Sequence, residues 1–136
     1  MAKILVAGSL AFDNIMTLPG YFKDHILPEK IETINLSFLA EKLTKQRGGC
    51  AANISYSLAL LGEKAIAVGA AGVDFKEYEK YLSNLNIDTS GIHIFEDEMT
   101  ASCFITTDKA GNQITGFYMG AMTRAREISL KDCGTP

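Results

Sequence analysis

Apolar residues in this chain come first in short continuous runs, then at helical spacing, then alternating with polar ones, and each change of period marks a change of element. Lys3-Ile-Leu-Val-Ala-Gly-Ser9 is an apolar run closed by Gly8, the pattern of a strand buried on both faces that opens an α/β sheet. From 12 to 47 the apolar stretches are broken by Pro19, Gly20 and Pro28. That punctuation forbids one long helix and permits short strands outside the main sheet, such as a lid. Between Cys50 and Leu61, Ala51, Ala52, Ile54, Leu58 and Leu61 recur at helical spacing, and Gly62 follows as a left-handed stop. A buried helix is predicted there. Ala65-Ile-Ala-Val-Gly69 reads as a second strand, and Phe75, Tyr78, Tyr81 and Leu82 form one stripe of a second helix with Asp74 as its N-cap.

After Asp88-Thr-Ser-Gly91 the pattern alternates, predicting strands over His93 to Phe95, Ala101 to Thr107 and Gln113 to Tyr118. The last two are joined through Asp108-Lys-Ala-Gly-Asn112 as a hairpin. Ile128-Ser-Leu130 is a helix-start signal. Strand and helix in alternation predict an α/β fold, a parallel sheet with right-handed crossovers and antiparallel strands added outside it. Only about two strand-helix units occur, fewer than an open doubly wound sheet uses.

Composition narrows the function classes. The 136 residues are 47% hydrophobic, enough for one globular domain with a modest core. Against 16 Asp plus Glu stand 13 Lys plus Arg, a formal charge of -3, so no basic surface points to a nucleic-acid partner. No run of ~18 apolar residues could span a bilayer, and Ile4 to Ala7 is too short for a secretory signal. A soluble, cytoplasmic protein without a membrane partner is expected. Cys50, Cys103 and Cys133 are odd in number and widely spaced, which suggests free thiols. His25 and His93 each stand alone, and no metal is assigned to them.

Candidate chemistry gathers where α/β sheets bind ligands, beyond the carboxyl ends of the strands. Ser9 and Asp13 follow the first strand. An Asp there can accept hydrogen bonds from two vicinal hydroxyls of a sugar, or it can cap local backbone; position alone leaves both readings open. The strongest local signal is Arg47-Gly-Gly-Cys-Ala-Ala-Asn53, in which Gly48 and Gly49 lead into a helix of small residues. Glycine lets the backbone approach a ligand, free N–H groups of a helix start can meet ligand oxygens, and Asn53 adds a donor and an acceptor. A tight turn and a close helix–sheet contact would use the same residues. Ser37 and Phe117 read as packing or solvated edge, although an aromatic over a cleft can stack on a purine. Glu96-Asp97-Glu98 has the spacing of a solvated turn rather than of an acid–base pair. Neither a dinucleotide fingerprint nor a Walker-type loop is present.

Together these residues resemble the PfkB or ribokinase-like family, whose first signature is a Gly-Gly pair followed by a small-residue helix with an Asn, here Gly48, Gly49 and Asn53. The resemblance continues through Gly8-Ser-Leu-Ala-Phe-Asp13, Leu18-Pro-Gly-Tyr-Phe22, Ile26-Leu-Pro-Glu29, Leu36-Ser-Phe-Leu39, Gly69-Ala-Ala-Gly-Val-Asp-Phe75, Thr106-Thr-Asp108 and Phe117-Tyr-Met-Gly-Ala-Met122. In order and spacing these look most like the family's bacterial adenosine kinase branch, from about Ile4 to Leu130. The resemblance implies a ribokinase-like fold, with 1–136 as the N-terminal portion of one kinase domain and lid segments near 12–47 and 100–119. It implies that Asp13 and Asn53 hold ribose hydroxyls with backbone from Gly48 and Gly49, that Ser9 and Ser37 line the nucleoside site, and that Phe117 packs on the base. ATP and Mg2+ are implied for the full-length parent, and neither is expected to bind well to this chain. A homodimer through the lid is a further implied partner.

Two departures qualify these expectations. Cys103 stands where similar adenosine kinases place a second aromatic, with Phe104 pointing to the opposite face of a regular strand. The family's second signature, Asp-Thr-x-Gly-Ala-Gly-Asp, supplies the catalytic base and an anion-binding turn, and it does not occur in these residues. The chain is therefore expected to carry no catalytic residue and to be inactive alone. A ribose or fructose kinase fragment, and a non-catalytic ligand-binding or dimerisation module, are the alternatives.

Overall fold

A computed structural model describes residues 4–133. The elements in chain order are β1 (Ile4–Ala7), β2 (Ala11–Thr17), β3 (Lys42–Gly48), α1 (Cys50–Leu60), β4 (Ala65–Gly72), α2 (Lys76–Asn84), β5 (Asp88–Phe95), β6 (Ala101–Thr107) and β7 (Gln113–Tyr118). Short 3-10 turns cover Phe22–Asp24, Pro28–Thr33, Gly120–Glu127 and Leu130–Asp132. The described residues form two compact units, one of 4–12, 47–102 and 118–133, the other of 13–46 and 103–117.

The first unit is built on a parallel sheet of order β1-β4-β5. Every residue of β4 is buried because both of its faces are covered. Ala65, Ala67 and Ala71 join Val6, Leu10, Phe12, Ala51, Phe75 and Tyr78 in one core, while Ile66 and Val68 pack with Cys133 on the other face. The alternation follows from the period of two along a strand. The apolar run Ala65–Gly69 thus behaves as a central parallel strand should.

Three local expectations are corrected. Helix α1 is not buried all round: Ile54, Leu60 and Leu61 are exposed, the last at 79%. Ala51, Ala52 and Ser55 face inward, with Leu58 and Ala59 packed against the core, and this stripe points away from Ile54 and Leu61. Asp74 does not cap α2, whose N-cap is Phe75; its Oδ1 accepts the Thr100 N–H at 2.8 Å, tying β6 to the end of β4. Asp88-Thr-Ser-Gly91 is not a break before a strand but the start of β5, with a register shift between Ile66 and Val68 that absorbs the irregularity.

Both helices end in the same way. The Glu63 N–H donates to Leu58 O and Gly62 N–H to Ala59 O after α1; Ile87 N–H donates to Leu82 O and Asn86 N–H to Ser83 O after α2. These are Schellman caps, and they require a left-handed residue, supplied by Gly62 (φ 82°) and by Asn86 (φ 60°).

The second unit carries most of a sheet of order β3-β2-β6-β7, with β6 and β7 joined as the expected hairpin. Asp108 organises its turn. Its carboxylate accepts the backbone N–H of Phe22, Ala110 and Asn112 and the Asn112 side-chain amide, at 2.9–3.1 Å. Burial by itself would raise this carboxyl's pKa, but the Asn112 side chain and the three backbone N–H groups more than reverse that, and the pKa lies below the ordinary Asp value. A folded-state pKa that is lowered means the carboxylate stabilises the fold above the ordinary Asp pKa and loses that contribution as pH falls through the lowered value. Asp108→Asn is accordingly expected to lower the melting temperature at pH 7 and to flatten its fall in acid. Parallel melts of both proteins across pH 2–7 (about the range in which Asp titrates) check this; identical profiles would contradict it.

Candidate functional site

The glycine turn from β3 into α1, packed against the end of β1, sets the geometry of the candidate residues in the first unit. Gly49 has φ 98° and ψ 140°, a conformation open to glycine alone. A Cβ on it would meet the Ser9 carbonyl group, with Ser9 C at 2.7 Å and Leu10 Cα at 2.8 Å. The two segments can pack this closely only because the side chain is absent. Ser9 then closes the turn with both of its oxygens: Oγ accepts the Cys50 N–H at 2.8 Å, and the carbonyl accepts the Ala51 N–H at 3.1 Å. Ser9 so satisfies two of the orphan donors at the start of α1 and welds the end of β1 to it.

Gly48 is held from a different direction. The buried Tyr78 hydroxyl donates to Gly48 O at 2.9 Å, and the Tyr78 ring lies between Phe75 and Phe12 at 4.8 and 5.6 Å. Asn53 is exposed in the first turn of α1, its backbone N–H donating to Gly49 O. Ser9, Gly48, Gly49 and Asn53 are therefore brought together by direct bonds around one helix start.

In the second unit, Asp13 lies on β2 and Cys103 on the neighbouring β6. Partial burial and then the Asp13 carboxylate raise the Cys103 thiol's pKa, so this cysteine stays a neutral thiol beside the acid. Asn14 donates its amide to Cys103 O at 3.4 Å. Ser37 is exposed in the irregular stretch before β3, and Phe117 is 53% exposed on β7. Phe104, next to Cys103, is 49% exposed.

Two carboxylates of the Glu96–Glu98 turn, those of Asp97 and Glu98, are engaged structurally. Asp97 pairs with Arg124 at 2.9 Å, Arg124 in turn holds Glu127 and stacks on Phe95, and Glu98 accepts the Tyr118 hydroxyl. Tyr78 was not singled out as a site residue from sequence, where it reads only as one member of an apolar stripe. Its hydroxyl on Gly48 O is visible only once α2 is folded against the turn.

A parallel α/β sheet, with a bare glycine turn that carries β3 into α1 against the end of β1, is the arrangement of a ribokinase-like fold. The chain matches the pfkB family of carbohydrate kinases over residues 4–133, and it belongs to that family. It is 35% identical over 137 aligned positions to the nucleoside kinase of Methanocaldococcus jannaschii, covering 99% of this chain and 42% of that protein. Its structure is similar to that of the Methanocaldococcus jannaschii nucleoside kinase at a TM-score of 0.79 and 35% identity, covering 93% of this chain and 40% of the other. The Burkholderia thailandensis nucleoside kinase in complex with inosine gives a TM-score of 0.76 and 39% identity, covering 93% and 39% of the two chains. The chain thus spans about two fifths of the length of these relatives.

Among the described residues no helix is long and apolar enough to cross a membrane. The same residues hold no group of three or more His, Cys, Asp and Glu placed to bind a metal ion. No step through ATP or Mg2+ is assigned to these residues.

Proposed function

We propose that this chain supplies the nucleoside-binding part of an ATP-dependent kinase whose whole protein phosphorylates the 5′-hydroxyl of adenosine. The observation that carries the reading is the Ser9–Gly49 closure, which leaves bare backbone beside Asn53 at a helix start, in a family of carbohydrate kinases with nucleoside kinases among its relatives. Asp13 and Asn53 accept and donate hydrogen bonds to the ribose hydroxyls, and Gly48 and Gly49 let the ribose approach the chain. Ser9 positions the turn, Ser37 lines the site, and Phe117 offers a ring to the base. Orientation of the acceptor hydroxyl is what these residues contribute, and positioning is a major part of catalysis of phosphoryl transfer. The base and the anion-binding turn belong to the second signature, which these 136 residues do not contain. By themselves they bind nucleoside without turning it over.

Titration calorimetry with adenosine, inosine and free ribose tests this. Adenosine is expected to bind more tightly than ribose, and Asp13→Ala to weaken it by about tenfold or more through the loss of charge-assisted hydrogen bonds. Equal affinity for ribose and adenosine would favour a sugar acceptor instead. ATP-dependent formation of AMP by the pure 136-residue chain, abolished in Asp13→Ala, would refute the claim that it does not turn over.

A further inference from the structure

Arg47 immediately precedes the Gly48–Gly49 turn and takes no part in the closure around Ser9. Its guanidinium carbon sits 4.4 Å from the centre of the Tyr81 ring and 5.9 Å from that of Tyr78. Stacking occupies the flat face of the guanidinium and leaves its N–H edges for another partner. Among the described residues it makes no ion pair and no side-chain hydrogen bond.

Beside it lies a pocket of about 210 Å3, walled by Arg47, Asn53, Tyr56 and Tyr81 with Ala52 and Leu82 among its lining. The polar groups share one property. Guanidinium can only donate; the amide and the Tyr56 and Tyr81 phenols each have a donor to give, while the Tyr78 hydroxyl, also on the lining, is committed to Gly48 O. No carboxylate lines the pocket. A site with a fixed cation, several donors and no acid is complementary to an oxyanion, and the planar fork of Arg matches two oxygens of a tetrahedral one.

We propose that this pocket binds a phosphate group, held by the Arg47 guanidinium with support from Asn53, Tyr56 and Tyr81. The group can arrive as inorganic phosphate or as the phosphate end of a nucleoside monophosphate. Asn53 is also a proposed ribose ligand, whereas Arg47 has no role in that reading, so a test centred on Arg47 stands or falls separately from nucleoside binding.

The test titrates sodium phosphate into the 136-residue chain at constant ionic strength, balanced with sodium chloride, and follows backbone and side-chain resonances together with tyrosine fluorescence, which no tryptophan obscures. Constant ionic strength removes general screening from the readout. Saturable changes centred on Arg47, Asn53, Tyr56 and Tyr81 are expected, with affinity weakened about tenfold or more in Arg47→Gln. Tyr56→Phe, which removes one donor and keeps the ring, is expected to weaken binding severalfold and serves if Arg47→Gln fails to fold. Tighter binding of AMP than of phosphate at this pocket would identify a nucleotide phosphate as the source; equal affinities would identify free phosphate. A response no greater than that to chloride, or equal phosphate affinity in the folded variants and the parent chain, would overturn the proposal. A purely structural Arg47 stack would change the melting temperature of Arg47→Gln while leaving no phosphate response to lose.

Discussion

Replacing Gly49 by alanine is expected to be strongly destabilising, because backbone conformation and space both forbid a side chain there. A residue with a Cβ in this backbone conformation is strained by about 1–3 kcal/mol. The added atom would also sit against the Ser9 carbonyl and 2.8 Å from Leu10 Cα, and both obstacles are backbone, so no rotamer change can make room. Overpacking against rigid surroundings adds about 1–3 kcal/mol more. With a total stability of about 5–15 kcal/mol for an ordinary domain, such a loss leaves a substantial unfolded population. Because relief requires β1 and α1 to separate, the Ser9 Oγ to Cys50 N–H bond should break as well. Urea denaturation would show a lower midpoint, and the adenosine titration would show binding lost even where the variant remains folded. Gly62→Ala is the comparison: its φ of 82° belongs to the left-handed cap conformation that Asn86 also adopts, so the backbone penalty is smaller, and a Cβ there meets nothing within 4 Å. Its cost should be the conformational term alone. Equal midpoints for the two variants would refute the steric account of Gly49.

The α/β class could be read from the sequence because period and composition agree along β4 and α2. Ala65–Gly69 had to be buried on both faces, and Phe75, Tyr78 and Leu82 had to share one face of a helix. The glycine turn was also readable, since Gly48-Gly49 before small residues makes sense only where chains pass closely. Side-chain destinations were harder. Asp74 has the composition of a cap, and what redirects it is the Thr100 N–H, 26 residues away in sequence. Ile54 and Leu61 fit a helical period as well as Ser55 does, but the sheet selects the smaller side chains because they allow α1 to approach it. Gly8 shows how closely, with a virtual Cβ only 3.3 Å from Ala51 N. Asp88–Gly91 carries turn residues that a bulge uses equally well, and only pairing with β4 decides between them. Local pattern thus located β1, α1, β4, α2, β6 and β7, while β2, β3 and the start of β5 depended on long-range pairing, which also decides which atoms meet.

Tyr78 joins those two levels, and its substitutions should separate them. The side chain is 2% exposed, between Phe75 and Phe12 in the core, and its hydroxyl donates to Gly48 O at the turn. Truncation in Tyr78→Ala removes a buried aromatic and leaves a cavity, at a cost of about 3–5 kcal/mol. Tyr78→Phe keeps the ring, so the core term is preserved and only the hydrogen bond is lost. That change leaves Gly48 O without the Tyr78 donor, at about 1 kcal/mol or somewhat more. The two variants should therefore differ severalfold in stability loss but share one effect, a freer Gly48–Gly49 turn. Hydrogen exchange at the Cys50 and Ala51 amides, the donors held by Ser9, reports that effect directly. Faster exchange there in a Tyr78→Phe protein that still melts cooperatively would establish that α2 positions the glycine turn through a single hydroxyl. Unchanged exchange would mean that Ser9 and the Gly49 backbone hold the turn unaided, and that Tyr78 matters only for the core.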